Sequence, residues 1–137
     1  MGNKESTRGT LQAFAEAWKA GDIARVIDTY SNDVVFHYFG ETDLAGTYEG
    51  KEASVGAMMA LARRAKRTLI DIVDVLAGDA MGAVVVRERL SKGTDESDVQ
   101  RVCLYRVADN KIIEAWLHDQ DQRLVDRFWR RDDSPEA

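Results

Sequence analysis

Between residues 67 and 119 the chain reads as four long extended runs with almost nothing between them: 67–77 (RTLIDIVDVLA), 80–91 (AMGAVVVRERLS), 98–108 (DVQRVCLYRVA) and 111–119 (KIIEAWLHD). Each is rich in β-branched and aromatic residues, the composition of strands. The joints Gly78-Asp79, Lys92-Gly93 and Asp109-Asn110 are turn formers, so the runs predict an antiparallel meander. Four strands of this length carry far more apolar surface than they can leave in water. Whatever precedes and follows them must cover one face.

The preceding residues supply that cover as helices. Leu11, Phe14, Ala15 and Trp18 recur at i, i+3, i+4 and i+7, one apolar stripe ending at Gly21. Asp22 suits the cap of a second helix with Ile23, Val26, Ile27 and Tyr30 on its buried side. A strand is predicted over 33–39, then a loop punctuated by Gly40, Gly46 and Gly50, then a third helix marked by Val55, Met58, Met59 and Ala62. Leu124, Val125, Phe128 and Trp129 predict a last amphipathic helix. The expected fold class is α+β: a cone-shaped, strongly curved antiparallel sheet, three N-terminal helices on its concave side, and a short C-terminal helix. With 137 residues and 45% apolar content, residues 1–137 suit a single domain, with flexible tails expected over 1–7 and 132–137.

Charge and cysteine content narrow the function. A formal net charge of -5 disfavours a nucleic-acid partner, and no apolar run approaches the roughly 20 residues that span a membrane. The start MGNKESTRG lacks the apolar stretch of a secretory signal, so the cytoplasm is the expected location. One cysteine, Cys103, leaves no disulfide framework, and the two histidines, His37 and His118, have no metal-ligand spacing. Neither a metal nor another cofactor is expected.

The element order, with FAEAWKAGDIARVIDTYSNDVVFH near the start and LYRVADNKIIEAW near the end, resembles the nuclear transport factor 2-like superfamily. The segments FHYFGETDLAGTYEGKEA and EAWLHDQDQRLVDRFW resemble its SnoaL-like and ketosteroid isomerase-like branch. The resemblance implies a small-molecule cavity inside the cone. Against the ketosteroid isomerase pattern, His37 stands at the general-base position, Phe14 at the oxyanion-hole tyrosine and Cys103 at the protonated aspartate, so authentic steroid isomerisation is not expected. Against limonene epoxide hydrolase-like motifs, Arg89 keeps the arginine, while Ser91 and His118 replace the two aspartates.

Strand alternation groups Val35, His37 and Phe39 on one face, Glu114, Trp116 and His118 on another, and Arg101, Cys103 and Tyr105 on a third. The polar, aromatic faces are the expected cavity walls. That makes His37, His118 and Glu114 the catalytic candidates, with Trp18, Phe14, Cys103, Tyr105 and Trp116 as substrate contacts. An imidazole titrating near neutrality can move a proton on an apolar substrate without a cofactor. The implied activity is isomerase, cyclase, dehydratase or hydrolase chemistry, and the alternative is a non-catalytic ligand-binding or dimerisation module. A homodimer is expected through apolar rows containing Val84, Val86, Val102, Leu104, Ile113, Ala115 and Leu117, read as the outer face.

Overall fold

The structure, a computed structural model, describes residues 2–130. Helices α1 (Lys4–Lys19) and α2 (Ile23–Thr29) come first, then strands β1 (Tyr30–Tyr38) and β2 (Gly46–Glu49). Helix α3 (Lys51–Arg64) precedes the long strands β3 (Lys66–Ala77), β4 (Met81–Lys92), β5 (Asp95–Ala108) and β6 (Lys111–Asp119), and α4 (Gln122–Trp129) follows them. The strands form one curved, unclosed sheet in the order β2-β1-β6-β5-β4-β3. On its concave side α1 packs against β3 and β4, α3 against β1, and α4 against β4 and β6. Among the described residues no helix is long and apolar enough to cross a membrane.

The meander over β3 to β6 is antiparallel as expected. Its last turn is Asp109-Asn110, with φ of 51° and 60°, the left-handed pair that a two-residue hairpin of matching twist requires. The sheet as a whole is mixed, however, because β1 lies parallel to β6, with His37 beside Trp116. Neighbouring strands joined by a tight turn must run antiparallel. β1 and β6 are separated by most of the chain, so no turn dictates their relative direction.

Two boundaries differ from expectation for local reasons. Tyr30, expected on the second helix, opens β1, where its ring is buried against Phe14 and Phe36. In place of a flexible tail over residues 1–7, Lys4–Thr7 form the first turn of α1. Asn3 and Ser6 make a reciprocal capping box there, satisfying two backbone N–H groups. Thr7, 1% exposed, donates its hydroxyl to the Asp79 carbonyl at 2.9 Å, fastening this turn to the β3–β4 connection. The tail expected over 132–137 lies outside the described residues.

The core fills the space between the concave sheet face and the helices, and includes Leu11, Phe14, Phe36, Val84, Tyr105 and Leu117. A second cluster of Leu90, Val99, Phe128 and Trp129 seats α4. The rows expected to face outward are therefore only partly outward. Val84, Val86, Ala115 and Leu117 belong to the core, whereas Val85, Val102, Leu104 and Trp116 lie on the convex face. Cross-strand register decides this, since directly opposed residues share a face: Val84 opposes buried Cys103, and Leu104 opposes Trp116. If the Asn3 cap holds the first turn as described, Asn3→Ala should lower the unfolding free energy by about 1 kcal/mol, and Asn3→Ser should leave it nearly unchanged in urea denaturation.

Candidate functional site

A cavity of about 680 Å³ opens between the concave sheet face and the helices, within the range that holds small organic ligands. Most of its wall is apolar or aromatic. Phe14 and Trp18 on α1 and Tyr105 on β5 line it as expected, and they are joined by Phe36 and Tyr38 from β1 and Trp129 from α4. Phe14 meets Tyr105 edge-on with ring centroids 5.2 Å apart, so these rings brace one another while presenting surface to the cavity. Cys103 is fully buried in the core and is not among the cavity residues.

The three catalytic candidates are elsewhere. His37, Glu114 and His118, with Trp116, stand on the convex face of the sheet, outside the cavity. The His37 ring stacks on Trp116 with centroids 5.3 Å apart, and its Nε2 is 2.7 Å from Glu114 Oε2. Its Nδ1 meets Thr47 Oγ1 at 3.0 Å, and Arg106 approaches Glu114 from the next strand. His118 stacks on Phe39 at the sheet margin. Alternation correctly grouped Glu114, Trp116 and His118, but the choice of face was inverted. The concave face is the one helices cover, so it is the more apolar of the two, and on β1 that face carries Val34, Phe36 and Tyr38. Arg89 likewise points outward, paired with Asp98 at 2.7 Å.

Six charged residues line the cavity, Lys66, Arg67, Glu88, Arg101, Asp119 and Asp126, and four of them cluster: Arg67 on β3, Glu88 on β4, Arg101 on β5 and Asp119 at the end of β6, none of them expected from the sequence. Glu88 is 1% exposed. Arg67 Nη1 donates to its Oε1 at 2.7 Å, and Arg101 Nη2 to its Oε2 at 3.3 Å. Arg101 Nε is 3.0 Å from Oε1, yet the angle makes no hydrogen bond, and it has no other partner among the described residues. Arg67 also reaches Asp119 Oδ1 at 3.4 Å, while its guanidinium lies 4.5 Å from the centroid of the Trp129 ring. Burial works against the charge on Arg101, but Glu88, Cys103, Asp119 and Tyr105 together outweigh it and hold its pKa well above the ordinary arginine value.

Asp119 differs from Glu88 in how well it is held. Its side chain is 7% exposed, yet among the described residues its side-chain hydrogen bonding consists of the single long contact from Arg67. A carboxylate so enclosed, with one long partner, has acceptor capacity left unused. Nearby Tyr38 is kept firmly protonated, chiefly by burial, although Arg101 and Arg67 pull the other way. Its hydroxyl is therefore a neutral hydrogen-bonding group. A charge interrupting an apolar strand row could have revealed these positions: Glu88 follows Val84 and Val86, Arg101 lies between Val99 and Cys103, and Asp119 follows Ala115 and Leu117 at the same period.

The SnoaL-like domain family matches residues 11–115. The chain belongs to this family. No curated protein matches it, whereas solved structures match along almost the whole chain. A Xanthomonas campestris protein of unknown function with a cystatin-like fold is 24% identical, with a TM-score of 0.84 over 91% of this chain and 98% of its own. A nuclear transport factor 2-like protein from Burkholderia xenovorans is 16% identical, with a TM-score of 0.77 over 95% of this chain and 100% of its own. An LEH-like epoxide hydrolase of M. tuberculosis is 15% identical, with a TM-score of 0.68 over 92% of this chain and 90% of its own. At these identities the likenesses establish the nuclear transport factor 2-like fold.

The ion cluster carries a stability prediction. Glu88→Ala leaves Arg101 without its carboxylate and Arg67 with only the long contact to Asp119, both largely buried, so it should cost about 3–5 kcal/mol in chemical denaturation. A loss below about 1 kcal/mol would mean that water reaches the arginines and substitutes for the carboxylate.

Proposed function

We propose that this protein binds a small, mostly apolar, neutral carbonyl compound in the cavity and moves a proton on it without a cofactor. The observation that carries the reading is Asp119, an enclosed carboxylate with one long ion-pair contact among the described residues, lining a mostly apolar cavity beside two guanidinium groups. The charged lining residues, Lys66, Arg67 and Arg101 against Glu88, Asp119 and Asp126, sum to zero formal charge. A ligand bearing its own full charge would upset that balance in a space poor in water.

Proton transfer preserves the balance. Asp119 takes the proton from the carbon next to the carbonyl, the C–H electron pair enters the new C=C bond, and negative charge collects on the carbonyl oxygen. Asp119 becomes neutral in the same step. The Arg67 charge it had partnered is then free to attract the new oxyanion, an interaction that strengthens only as the transition state forms. Return of the proton to the same or another carbon completes an exchange or an isomerisation. This reading transfers the base from His37 and His118 to Asp119, and leaves Glu88 to hold the arginines.

Methyl ketones in deuterated water provide the test. Protein-dependent exchange of the α-protons should be visible by NMR, and Asp119→Asn should slow it by about 10²- to 10⁴-fold while ligand binding is retained. Equal exchange rates in the two proteins would remove Asp119 from the chemistry. Binding without any protein-dependent exchange would favour the second reading, a non-catalytic carrier, which the mutual pairing of the four charges also suits.

We further propose that two copies associate through the convex sheet face. Val85, Val102, Leu104 and Trp116 give that face an apolar centre, and Arg87, Arg106, Glu114 and His118 surround it with both signs of charge. A two-fold contact can match such a mixed border to itself. The dimer should sediment at twice the mass of one chain and bury on the order of 1,200 Å² or more in total. Leu104→Lys should convert it to the monomer, and a wild-type protein that sediments as a monomer at micromolar concentration would refute the assembly.

A further inference from the structure

The polarity of the cavity runs in one direction. Its clustered charges are deep, with Glu88 almost inaccessible and Asp119 nearly so, while Lys66 is exposed and Asp126 is engaged by the β1–β2 loop. Its mouth carries an apolar rim, where three large side chains both line the cavity and face water: Ile23 on α2 at 52% exposure, Phe39 after β1 at 42%, and Met59 on α3 at 38%. The other large exposed apolar residues, Ile70, Val73, Leu76 and Val102, are on β3 and β5 and do not line the cavity. A solvent-facing apolar rim that continues directly into an apolar cavity is surface left for a ligand to cover.

The rim is also held in position. The β1–β2 loop is tied to α3 by two hydrogen bonds from Arg64 to Asp43, at 2.6 and 2.8 Å. It is tied to α4 by the Glu41 backbone N–H, which donates to Asp126 Oδ2 at 3.0 Å. Gly40, at φ +115°, allows this close approach, because a Cβ there would strike the Asp126 carboxylate. Phe39 is further supported by its stack on His118. The exposure of the rim is thus a fixed feature of the mouth.

We infer that the ligand is an amphiphile bound head-first: a neutral carbonyl head at the Arg67–Asp119 end, and an extended apolar tail that leaves the cavity across Ile23, Phe39 and Met59. This rests on the cavity reading proposed above and adds the shape of the substrate to it. A compact ligand would fill the interior and leave the rim wet. A long tail buries surface on both, so affinity must depend on how far the tail extends.

The test is a series of methyl ketones with unbranched chains from propyl to decyl, titrated calorimetrically into the full chain. The dissociation constant should fall by about fourfold for each methylene that becomes buried. In the double variant Ile23→Ser, Met59→Ser, verified as folded by its melting curve, the gain from the longer members should disappear. Wild-type binding that does not improve with chain length, or an undiminished gain in the variant, overturns the amphiphile while leaving the cavity reading intact. If no ketone of any length binds wild-type protein, both are overturned.

Discussion

Glu88 is a carboxylate with almost no access to water, and the deep end of the cavity is organised by what such a group requires. An ionised side chain in this position is tolerable only if it is paired and hydrogen-bonded. Arg67 and Arg101, from the strands on either side of β4, meet that need. Because the three residues sit on adjacent strands, the pairing also constrains strand register at this end of the sheet. Asp119 balances the second arginine, and Trp18 and Trp129 lie close to the guanidinium groups. The result is a compact, neutral and strongly polarising group at the base of an apolar space.

The rest of the molecule keeps that group buried on one side and open to the cavity on the other. Helix α4 brings Trp129 against Arg67, and the Trp129 indole N–H donates to the Leu61 carbonyl on α3, closing the helical layer. The β1–β2 loop, fastened by Asp43 and Asp126, frames the mouth without filling it. In the proposed function, polar chemistry at depth with an apolar rim at the entrance orients the ligand before proton transfer. Orientation of that kind lowers the entropic part of a barrier.

The site was partly legible in the sequence, and its failures have a common cause. Phe14, Trp18 and Tyr105 were identified through helical and strand periodicity, which reports which side of an element is buried. His37, Glu114 and His118 lie among aromatics in the sequence, the composition expected of a binding wall. Alternation separates the two faces of a strand but does not say which face the helices cover. The convex face gained Trp116 and the His37–Glu114 pair, and so imitated a pocket in composition. Glu88, Arg101 and Asp119 were the better signal, since each places a charge within a row otherwise committed to the core.

The sequence by itself determined the elements and most of their order, because amphipathic period, caps and turn formers act over a few residues. The capping of α4 by Asp121 and the left-handed Asp109-Asn110 turn are local events of this type. The α+β class and the family resemblance followed from that order. The parallel pairing of β1 with β6, the inward choice of face on each strand, and the meeting of Arg67, Glu88, Arg101 and Asp119 were decided only by the tertiary structure. These four residues are spread over more than fifty positions of the chain, with Arg67 and Asp119 52 apart. No local propensity encodes such a meeting. It arises when a curved sheet and its covering helices bring four strands to one end of a shared cavity, where each buried charge can persist only because the others are present.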